Sequence, residues 1–425
     1  MKILHVVASL QPASGGPAVS VSGLATEQAR LGHDVSIAAF DEGYRGVALP
    51  TVGVRRVLIP SGFLSEHGRG WSPSFRRTVK AEARQADIVH NHGLWMWPNA
   101  YAREAAVAAD KPLVISPRGM LEPWSLNRSK VRKAVAWRLF EKRNVQSAAM
   151  FHATAESEAE SIRQAVFPVW RARGGQSHEA EQDCGNADRL RSAVPVVVAP
   201  NGVDLPDLGL KPEREVLQDR FPELKGRRWV AFMSRLHPKK GLDVLLRAWE
   251  PLQTGLAAGQ RREARAQRGQ DKKSGPVLVL AGPDLIGYRK DVERMVRELG
   301  VEDSVVITGE LLGEDKNCLL ANADVFVLPS YSENFGIAVA EAMSWGRPVI
   351  ASTGTPWSQV AEVGAGWWVN PEENELSQAL AEALGSGQER LASMGACGRR
   401  LVTSNCSWAQ SAAKLVATYA EIMRS

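Results

Sequence analysis

The stretch from Asp324 to Ala351, DVFVLPSYSENFGIAVAEAMSWGRPVIA, constrains the fold more than any other part of the chain. Its apolar run Val325 to Leu328 has the length of a strand, and a continuous apolar run is typical of a parallel strand that is buried on both faces. A helix is predicted from about Gly336 to Gly346, and a second strand from Val349 to Ala351. This order predicts an α/β fold with a parallel sheet.

The loop before this predicted helix has the features of an anion-binding site. It contains Glu333, Asn334, Phe335 and Gly336. A helix N-terminus presents unpaired N–H groups, and a glycine lets a ligand approach the backbone closely. Two carboxylates flank the site, because Glu333 precedes the helix and Glu341 follows it after seven intervening residues. Taken singly, each glutamate is equally well explained as a solvated surface residue.

The complete string, in which Phe-Gly follows the first glutamate, Ala-Met follows the second and Gly-Arg-Pro-Val-Ile comes next, resembles the donor site of the retaining GT-B glycosyltransferases of family 4. The resemblance implies an α/β GT-B fold, in which two Rossmann-like domains face an interdomain cleft. It also implies that Glu333 contacts the donor sugar and Glu341 the ribose. The other donor-binding residues that it implies are Leu311, Asn334, Phe335, Gly336 and Ile337.

A second loop also combines cations with a helix start. Trp229 to Met233 is predicted to be a strand, and residues 234–241 (SRLHPKKG) separate it from a helix that begins at Leu242. Cations next to a helix N-terminus favour an anion pocket, although chance charges on a surface loop would look the same. The segment resembles the diphosphate clamp of the same family, and this implies that Arg235 and Lys240 bind the donor diphosphate.

The N-terminus has the pattern of a Rossmann-like opening: a strand over Ile3 to Ser9, a glycine turn, and a helix over Val19 to Leu31. The turn contains Gly15 and Gly16 but lacks the GxGxxG spacing of a dinucleotide site. The resemblance implies that these two glycines contact the donor at the cleft. An ordinary strand-to-helix turn is the alternative interpretation.

Polar residues follow two further predicted strands, where open α/β sheets bind ligands. Residues 87–92 (DIVHNH) place His90 and His92 at a strand end, and Arg118 follows the strand Leu113 to Ser116. Two histidines at this spacing would also fit a structural pair, or a metal site that lacks an evident third ligand. The resemblance favours contact of His92 with the donor sugar. Arg118 would bind phosphate or acceptor, or lie on the surface.

The segment from Arg128 to Val145 is a predicted basic helix, with seven Lys or Arg and one Glu between residues 128 and 143. Val131, Val135 and Leu139 form an apolar stripe. The stripe could be buried beneath a solvated basic face, or the helix could lie on a membrane surface as a peripheral contact.

Residues 200–204 (PNGVD) resemble the hinge of GT-B enzymes and predict an N-terminal acceptor domain over 1–202 and a C-terminal donor domain over 203–407. The last helix, 408–425, is expected to cross back onto the first domain. Polar composition predicts insertion loops at 171–193 and 254–276. The length of 425 residues accommodates two domains of this size.

Composition favours a cytoplasmic protein, peripheral at most on the inner face of the membrane. The four cysteines form no CxxC pair, the first residues fit a strand better than a secretory signal, and no run reaches the length of a membrane span. A net charge of +5 does not indicate a nucleic-acid partner. No DxD triplet occurs, so we expect no metal cofactor.

These observations predict an enzyme that transfers a sugar, with retention of configuration, from a nucleotide-diphosphate sugar to a glycan, a lipid-linked sugar or a small molecule. His92, Arg235, Lys240 and Glu333 are the predicted catalytic residues. Two alternatives remain: a GT-B enzyme of another reaction type, such as a sugar-nucleotide epimerase or a phosphorylase, and a non-catalytic sugar-nucleotide-binding protein.

Overall fold

The computed structural model describes residues 1–11, 16–41, 52–63, 65, 68–174, 194–254 and 275–424. The chain divides into two compact units. The first unit comprises Met1–Gly202 together with Ser407–Ser425, and the second comprises Val203–Cys406. Each unit is built around its own parallel sheet.

The sheet of the first unit has seven parallel strands in the order β3-β2-β1-β4-β5-β6-β7. Its strand order reverses between β1 and β4, which pair directly. Apolar clusters cover both faces of the sheet, as its buried strands require. The strands are β1 (Lys2–Val6), β2 (Asp34–Asp41), β3 (Val54–Pro60), β4 (Ile88–His92), β5 (Leu113–Ser116), β6 (Met150–Ala153) and β7 (Val196–Val198).

Helices connect these strands, and the last helix of the chain packs on one face of the same sheet. Those of the first unit are α1 (Gly16–Arg30), α2 (Pro73–Gln85), α3 (Trp97–Ala108), α4 (Pro123–Asn127), α5 (Lys130–Ala136), α6 (Lys142–Gln146), α7 (Glu156–Gly174) and the C-terminal helix (Trp408–Ile422). The C-terminal helix packs against α1 so closely that a Cβ atom on Gly23 would lie 2.6 Å from the Trp408 ring. Its first turn also approaches the end of the first segment, because the Ser411 hydroxyl donates to the Pro200 carbonyl (2.6 Å).

The sheet of the second unit has six parallel strands in the order β10-β9-β8-β11-β12-β13. This is the doubly wound Rossmann order, with the reversal between β8 and β11. The strands are β8 (Trp229–Met233), β9 (Val277–Ala281), β10 (Val305–Gly309), β11 (Val325–Leu328), β12 (Val349–Ser352) and β13 (Gly366–Val369). The helices are α8 (Glu215–Gln218), α9 (Leu242–Thr254), α10 (Arg289–Leu299), α11 (Gly313–Asn322), α12 (Ile337–Ser344), α13 (Gln359–Glu362), α14 (Glu373–Gly385) and α15 (Gln388–Asn405).

The central prediction is confirmed in detail. β11 spans Val325–Leu328 and is buried throughout, α12 begins directly after Gly336, and β12 begins at Val349. A continuous apolar run can be buried on both faces only when the strand is inside a sheet that helices cover on both sides. Local composition therefore identified the middle of this unit.

The boundary of the first predicted insertion loop differs from the prediction. The first predicted insertion loop starts too early, because α7 continues to Gly174. The rest of that loop, 175–193, lies outside the described residues, as does 255–274 of the second loop.

Among the cysteines, Cys318, Cys397 and Cys406 are free thiols, and Cys184 lies outside the described residues.

The basic segment also differs, because it is not one regular helix. α5 leads into a π-helical turn, Trp137–Glu141, before α6. The predicted buried stripe is wrong: Val131, Val135 and Leu139 are 78%, 52% and 60% exposed. Ala136, Phe140 and Val145 face the core instead. The π-turn and the packing of these three side chains decide which face turns inward, and apolar spacing alone does not reveal this.

Candidate functional site

The loops after β8 and β11 lie at the reversal point of the second sheet, which is where doubly wound sheets bind ligands. The first loop contains Arg235 and a 3₁₀ turn, Pro238–Lys240. The second loop contains Glu333 and ends at Gly336, the residue before α12. The backbone N–H of Tyr331 in the second loop donates to the carbonyl of Lys239 in the first (2.9 Å). The fold thus joins two segments that lie about ninety residues apart in the sequence.

Lys240 and Glu333, both predicted site residues, form an ion pair with each other. Each side chain is about 10% exposed, and the Ser330 hydroxyl also donates to Glu333 (2.7 Å). Burial alone would raise the pKa of Glu333, but the charge and hydrogen bond of Lys240 and the hydrogen bond of Ser330 hold that pKa below its usual value. Glu333 is therefore an anion at neutral pH and can accept hydrogen bonds from a ligand.

Arg235 has a different environment from Lys240. Its side chain is exposed, and within the described part of the chain it makes no ion pair or side-chain hydrogen bond. The loop that contains Glu333 leads into α12, and its last residue, Gly336, has a φ of 72°. The first N–H groups of a helix have no partner within it, so α12 offers donors next to the Glu333 loop. The second unit thereby supplies a solvated cation, a buried cation and a helix N-terminus.

The other predicted donor-binding residues of the second unit lie in the Glu333 loop, on α12 and in the turn after β10. Glu341 is on α12, and its carboxylate pairs with Lys316 on α11 (2.9 Å). Leu311 is buried in the turn after β10. Phe335 is buried with its ring 5.3 Å from that of Trp357, which donates to the Phe335 carbonyl. Asn334 and Ile337 flank Phe335 and Gly336 and are partly buried.

Three glycines that the sequence analysis did not single out allow the loops of this site to touch. A Cβ atom on Gly241 would lie 2.1 Å from the Pro329 carbonyl oxygen, one on Gly282 would lie 1.8 Å from that of Ser234, and one on Gly354 would lie 2.2 Å from that of Ser330. No other side chain fits such an approach. The motifs that contain them, KKG, GPD and TGTP, were visible in the sequence, but the contacts were not.

The first unit has a cavity of about 340 Å³ at the carboxyl ends of its strands. Residues at or beyond the carboxyl ends of β1 to β5 line it, and among them are Ser9, Phe40, Ser61, Arg69, His92, Asn99 and Arg118. The cavity therefore lies beside the reversal point between β1 and β4. Hydroxyl, amide and guanidinium groups are suited to a ligand rich in hydroxyl groups.

Arg118 is in a strained conformation at this cavity. Its φ is 56°, which is uncommon for a residue other than glycine, and Trp95 (φ 70°) and Arg69 (φ 54°) nearby share this feature. Strained backbone of this kind tends to cluster at functional sites. The Arg118 guanidinium donates to Asn201 Oδ1 (3.0 Å) and to His92 Nδ1 (3.2 Å), and burial lowers its pKa to about 10. Arg118 remains a cation at neutral pH.

Two buried glutamates that sequence reasoning missed hold the strained turns. Glu158 accepts the N–H groups of Gly119 and Thr154 (both 2.7 Å), and Glu141 accepts the N–H of Trp95 (2.7 Å). Burial raises the pKa of both carboxyls, that of Glu141 to about 7. The turns after β4 and β5, which contain Trp95 and Arg118, are thus held by hydrogen bonds from their backbone N–H groups to buried carboxylates.

His92, predicted to contact the sugar, belongs to a buried cluster with His5, His90 and His152. His5 is the third histidine of this group, and its spacing in the sequence did not indicate this. The imidazole nitrogens of His5, His90 and His92 lie within 4.8 Å of one another. Both ring nitrogens of each of these three residues already have a hydrogen-bond partner in the protein. Burial lowers the pKa of each ring, so the cluster is neutral. Hydrogen bonding accounts for the arrangement of the three rings.

Gly15 lies outside the described residues. Gly16 is the first residue of α1, and a Cβ atom on it would have no neighbour within 4 Å. No atom of the described protein thus requires glycine at position 16.

Two Rossmann-like parallel sheets, each with a polar site at the carboxyl ends of its strands, are characteristic of the GT-B class of proteins. The solved structure of HepE from Anabaena in complex with UDP and glucose matches 99% of this chain and 100% of its own, with a TM-score of 0.69 at 19% identity. This likeness establishes the fold.

The sequence comparisons then identify the family. Residues 213–400 match the profile of glycosyl transferases group 1, and residues 15–173 match a glycosyl transferase 4-like domain. The chain belongs to the group 1 glycosyltransferases, family 4.

Two curated relatives illustrate the level of similarity. A D-inositol 3-phosphate glycosyltransferase from Salinispora tropica is 34% identical over 164 residues, 37% of this chain and 32% of that protein. A GDP-mannose-dependent alpha-(1-6)-phosphatidylinositol monomannoside mannosyltransferase from Mycobacterium tuberculosis is 33% identical over 227 residues, 51% of this chain and 53% of that protein. The match spans about a third to a half of the length of these relatives.

Proposed function

We propose that this protein transfers a sugar from a nucleotide-diphosphate sugar to a hydroxyl-bearing acceptor with retention of configuration. The observation that carries the proposal is the joined pair of loops in the second unit, where Lys240, Glu333 and the start of α12 lie together at the reversal point of the sheet. The names of the relatives support transfer from a nucleotide sugar, and UDP is bound in the HepE structure. Retention is a property of the family that the motifs resemble.

The chemistry follows from the charges. As the bond between sugar and diphosphate breaks, the leaving group gains negative charge, and Arg235, Lys240 and the N–H groups of α12 stabilise it. Lys240 is the stronger contributor per contact because it is buried, where charges are less screened by water. With these cations in place, no metal is required for this step. Glu333, held as an anion, accepts hydrogen bonds from the sugar hydroxyls.

The cavity of the first unit is the proposed acceptor site, with Arg118 as a binding residue. Its volume falls in the range of small-molecule pockets, which begins at about 300 Å³. Its polar residues suit a glycan, a lipid-linked sugar or a small polyol. His92 is proposed to contact the donor sugar, as the resemblance implies; its ring nitrogens are occupied by His5 and Arg118.

A screen of UDP-, GDP- and ADP-sugars tests the donor, because a bound ligand raises the melting temperature by mass action. We expect at least one donor to stabilise the protein. NMR of the product from that donor should then show the anomeric configuration of the donor.

Each other outcome of this screen points to an alternative. An inverted product would contradict the proposed mechanism. A changed sugar in the absence of acceptor would indicate an epimerase, transfer to inorganic phosphate would indicate a phosphorylase, and binding without turnover would indicate a binding protein.

We further propose that α5 and the π-turn after it contact an anionic lipid surface. The exposed stripe of Val131, Val135 and Leu139 is bordered by exposed cations that make no ion pair within the described chain: Lys130, Arg132, Arg138, Lys142 and Arg143. The one acid of this segment, Glu141, is buried. An exposed apolar stripe among exposed cations is complementary to an anionic bilayer, at about 1 kcal/mol per cation near the surface. No described helix is long and apolar enough to span a membrane.

Replacement of Val131, Val135 and Leu139 together by serine is expected to abolish sedimentation with vesicles of phosphatidylglycerol and phosphatidylcholine at low salt. The physical reason is loss of the apolar insertion, while the cations remain. Leu210→Ser is the matched control, since Leu210 is 79% exposed but lies in the second unit. Wild-type binding should weaken as salt increases. Equal sedimentation of the triple variant and the wild type would contradict the lipid contact.

A further inference from the structure

Two chains of hydrogen bonds run beneath the cavity of the first unit. Each begins at a group that can act only as a hydrogen-bond donor or only as an acceptor. The Arg118 guanidinium can only donate, and the Ala199 carbonyl can only accept. Burial lowers the pKa of His5 to about 4 and that of His152 to about 3, and lowers those of His90 and His92 as well. Each neutral ring has one N–H, so the direction of every hydrogen bond can be assigned.

The first chain runs from Arg118 to α1. Arg118 donates to Nδ1 of His92 (3.2 Å), so the His92 proton is on Nε2 and is donated to Nδ1 of His5 (2.8 Å). His5 in turn has its proton on Nε2 and donates it to Oε1 of Gln28 (2.7 Å).

The second chain runs from Ala199 to the C-terminal helix. His152 donates from Nε2 to the Ala199 carbonyl (2.9 Å), so its Nδ1 accepts the Ser116 hydroxyl (2.8 Å). Ser116 then accepts Nε2–H of His90 (2.7 Å). Nδ1 of His90 accepts the Tyr419 hydroxyl (2.7 Å).

Both chains meet at one side chain on α1. Nε2 of Gln28 donates to the Tyr419 oxygen (3.5 Å), while Oε1 of Gln28 accepts from His5. A carboxylate could only accept and an apolar side chain could do neither, so an amide satisfies both chains. Gln28 and Tyr419 are fully buried, and no solvent competes for these contacts.

We propose that Gln28 is a positioning residue for the cavity of the first unit. By fixing His5 as the Nε2–H tautomer, it fixes His92 in the same tautomer, and His92 then offers Nδ1 as the acceptor that orients Arg118. The Tyr419 oxygen accepts from the other end of the Gln28 amide, so the C-terminal helix joins the same hydrogen-bond network. The role in catalysis rests on the proposed function, whereas the tautomers do not.

Two-bond ¹H–¹⁵N correlation spectra of the histidine side chains distinguish the two tautomers. Of the eight histidines, we expect His5, His90, His92 and His152 to show the Nε2–H signature at pH 7. Gln28→Leu should change the His5 and His92 signals. Tyr419→Phe should change those of His90 but leave His92 as it is. Thr26→Val is the matched control, because Thr26 is buried on the same helix and its Oγ1 has no hydrogen-bond partner among the described residues.

With a donor and acceptor in hand, Gln28→Leu should lower kcat/KM roughly 10-fold to 100-fold, the range that loss of a supporting hydrogen bond causes at metal sites. Thr26→Val should leave kcat/KM unchanged. An Nδ1–H signature for His92 in the wild type would overturn the positioning role, and so would unchanged His5 and His92 signals in Gln28→Leu. If Gln28→Leu fails to fold, the wild-type spectrum still tests the proposal, because an Nδ1–H signature for His92 would overturn it. Wild-type spectra as expected, without any sugar transfer, would contradict the proposed function and support the positioning role.

Discussion

Arg235→Ala and Lys240→Ala are each expected to lower kcat at saturating donor. A cation beside the leaving diphosphate binds the transition state better than the ground state, because negative charge develops as the bond to the sugar breaks. A charge-assisted hydrogen bond lost from such a site corresponds to roughly 1.5–3 kcal/mol, or about 10-fold to 150-fold in rate. Steady-state kinetics with the donor found in the screen are the measurement.

The structure separates the two variants. Arg235 is exposed and unpaired within the described chain, so its removal should leave stability unchanged. Removal of Lys240 leaves the buried Glu333 carboxylate without its cation, which is costly for a buried pair. Lys240→Ala should therefore also lower the melting temperature. Arg235→Ala is the cleaner probe of catalysis.

Two further variants complete this test. Glu341→Ala should mainly raise the donor KM, because the proposed ribose contact is similar in ground and transition states. Lys290→Ala, which removes an exposed cation from α10, should change nothing. If both clamp variants kept the wild-type kcat while Glu341→Ala abolished it, the assignment of the clamp would be wrong.

Gly354→Ala is expected to disrupt the site formed by the loops after β8 and β11, and to destabilise the second unit. The added Cβ would lie 2.2 Å from the Ser330 carbonyl oxygen and 2.6 Å from the Tyr331 carbonyl carbon, so the backbone of the Glu333 loop has to move. Overpacking of this kind costs roughly 1–3 kcal/mol. The Glu333 N–H donates to the Gly354 carbonyl (2.6 Å), so the displacement should also separate Glu333 from Lys240.

Urea denaturation and donor-induced thermal shift measure the two effects of Gly354→Ala. The control is Gly385→Ala, at the end of α14, where a Cβ atom meets nothing within 4 Å. Alanine favours a helix over glycine, so the control should be neutral or slightly stabilising. A Gly354→Ala protein with wild-type stability and wild-type donor affinity would show that the close approach is unimportant.

Much of the site formed by the loops after β8 and β11 could be predicted, because short segments of the sequence determine its parts. β11, the start of α12 and the Lys240 loop each lie in one short segment whose apolar run, glycine or cations determine the local structure. The pairing of Lys240 with Glu333 could not be predicted, since it depends on two loops that are joined through backbone contacts at glycines. The same holds for Gly241, Gly282 and Gly354, whose importance is steric.

The hydrogen-bonded residues beneath the cavity of the first unit were predicted less completely. Its residues come from β1, α1, β4, β5, β6 and the C-terminal helix, and each is a single histidine, glutamine, serine or tyrosine in an ordinary local context. The basic segment shows the same limit, because a π-turn decided which of its apolar residues face the core.

The alternation of strands and helices, the family motifs and the charged loops of the second unit follow from the amino-acid sequence alone. These depend on residues close together in the chain, where periodicity, capping and turn chemistry act. The tertiary packing, in contrast, sets which buried polar groups hydrogen-bond to one another and which apolar stripe stays exposed. Such contacts join residues tens to hundreds of positions apart, as with His90 and Tyr419, and only the packing of the sheet and its helices brings them within hydrogen-bond distance.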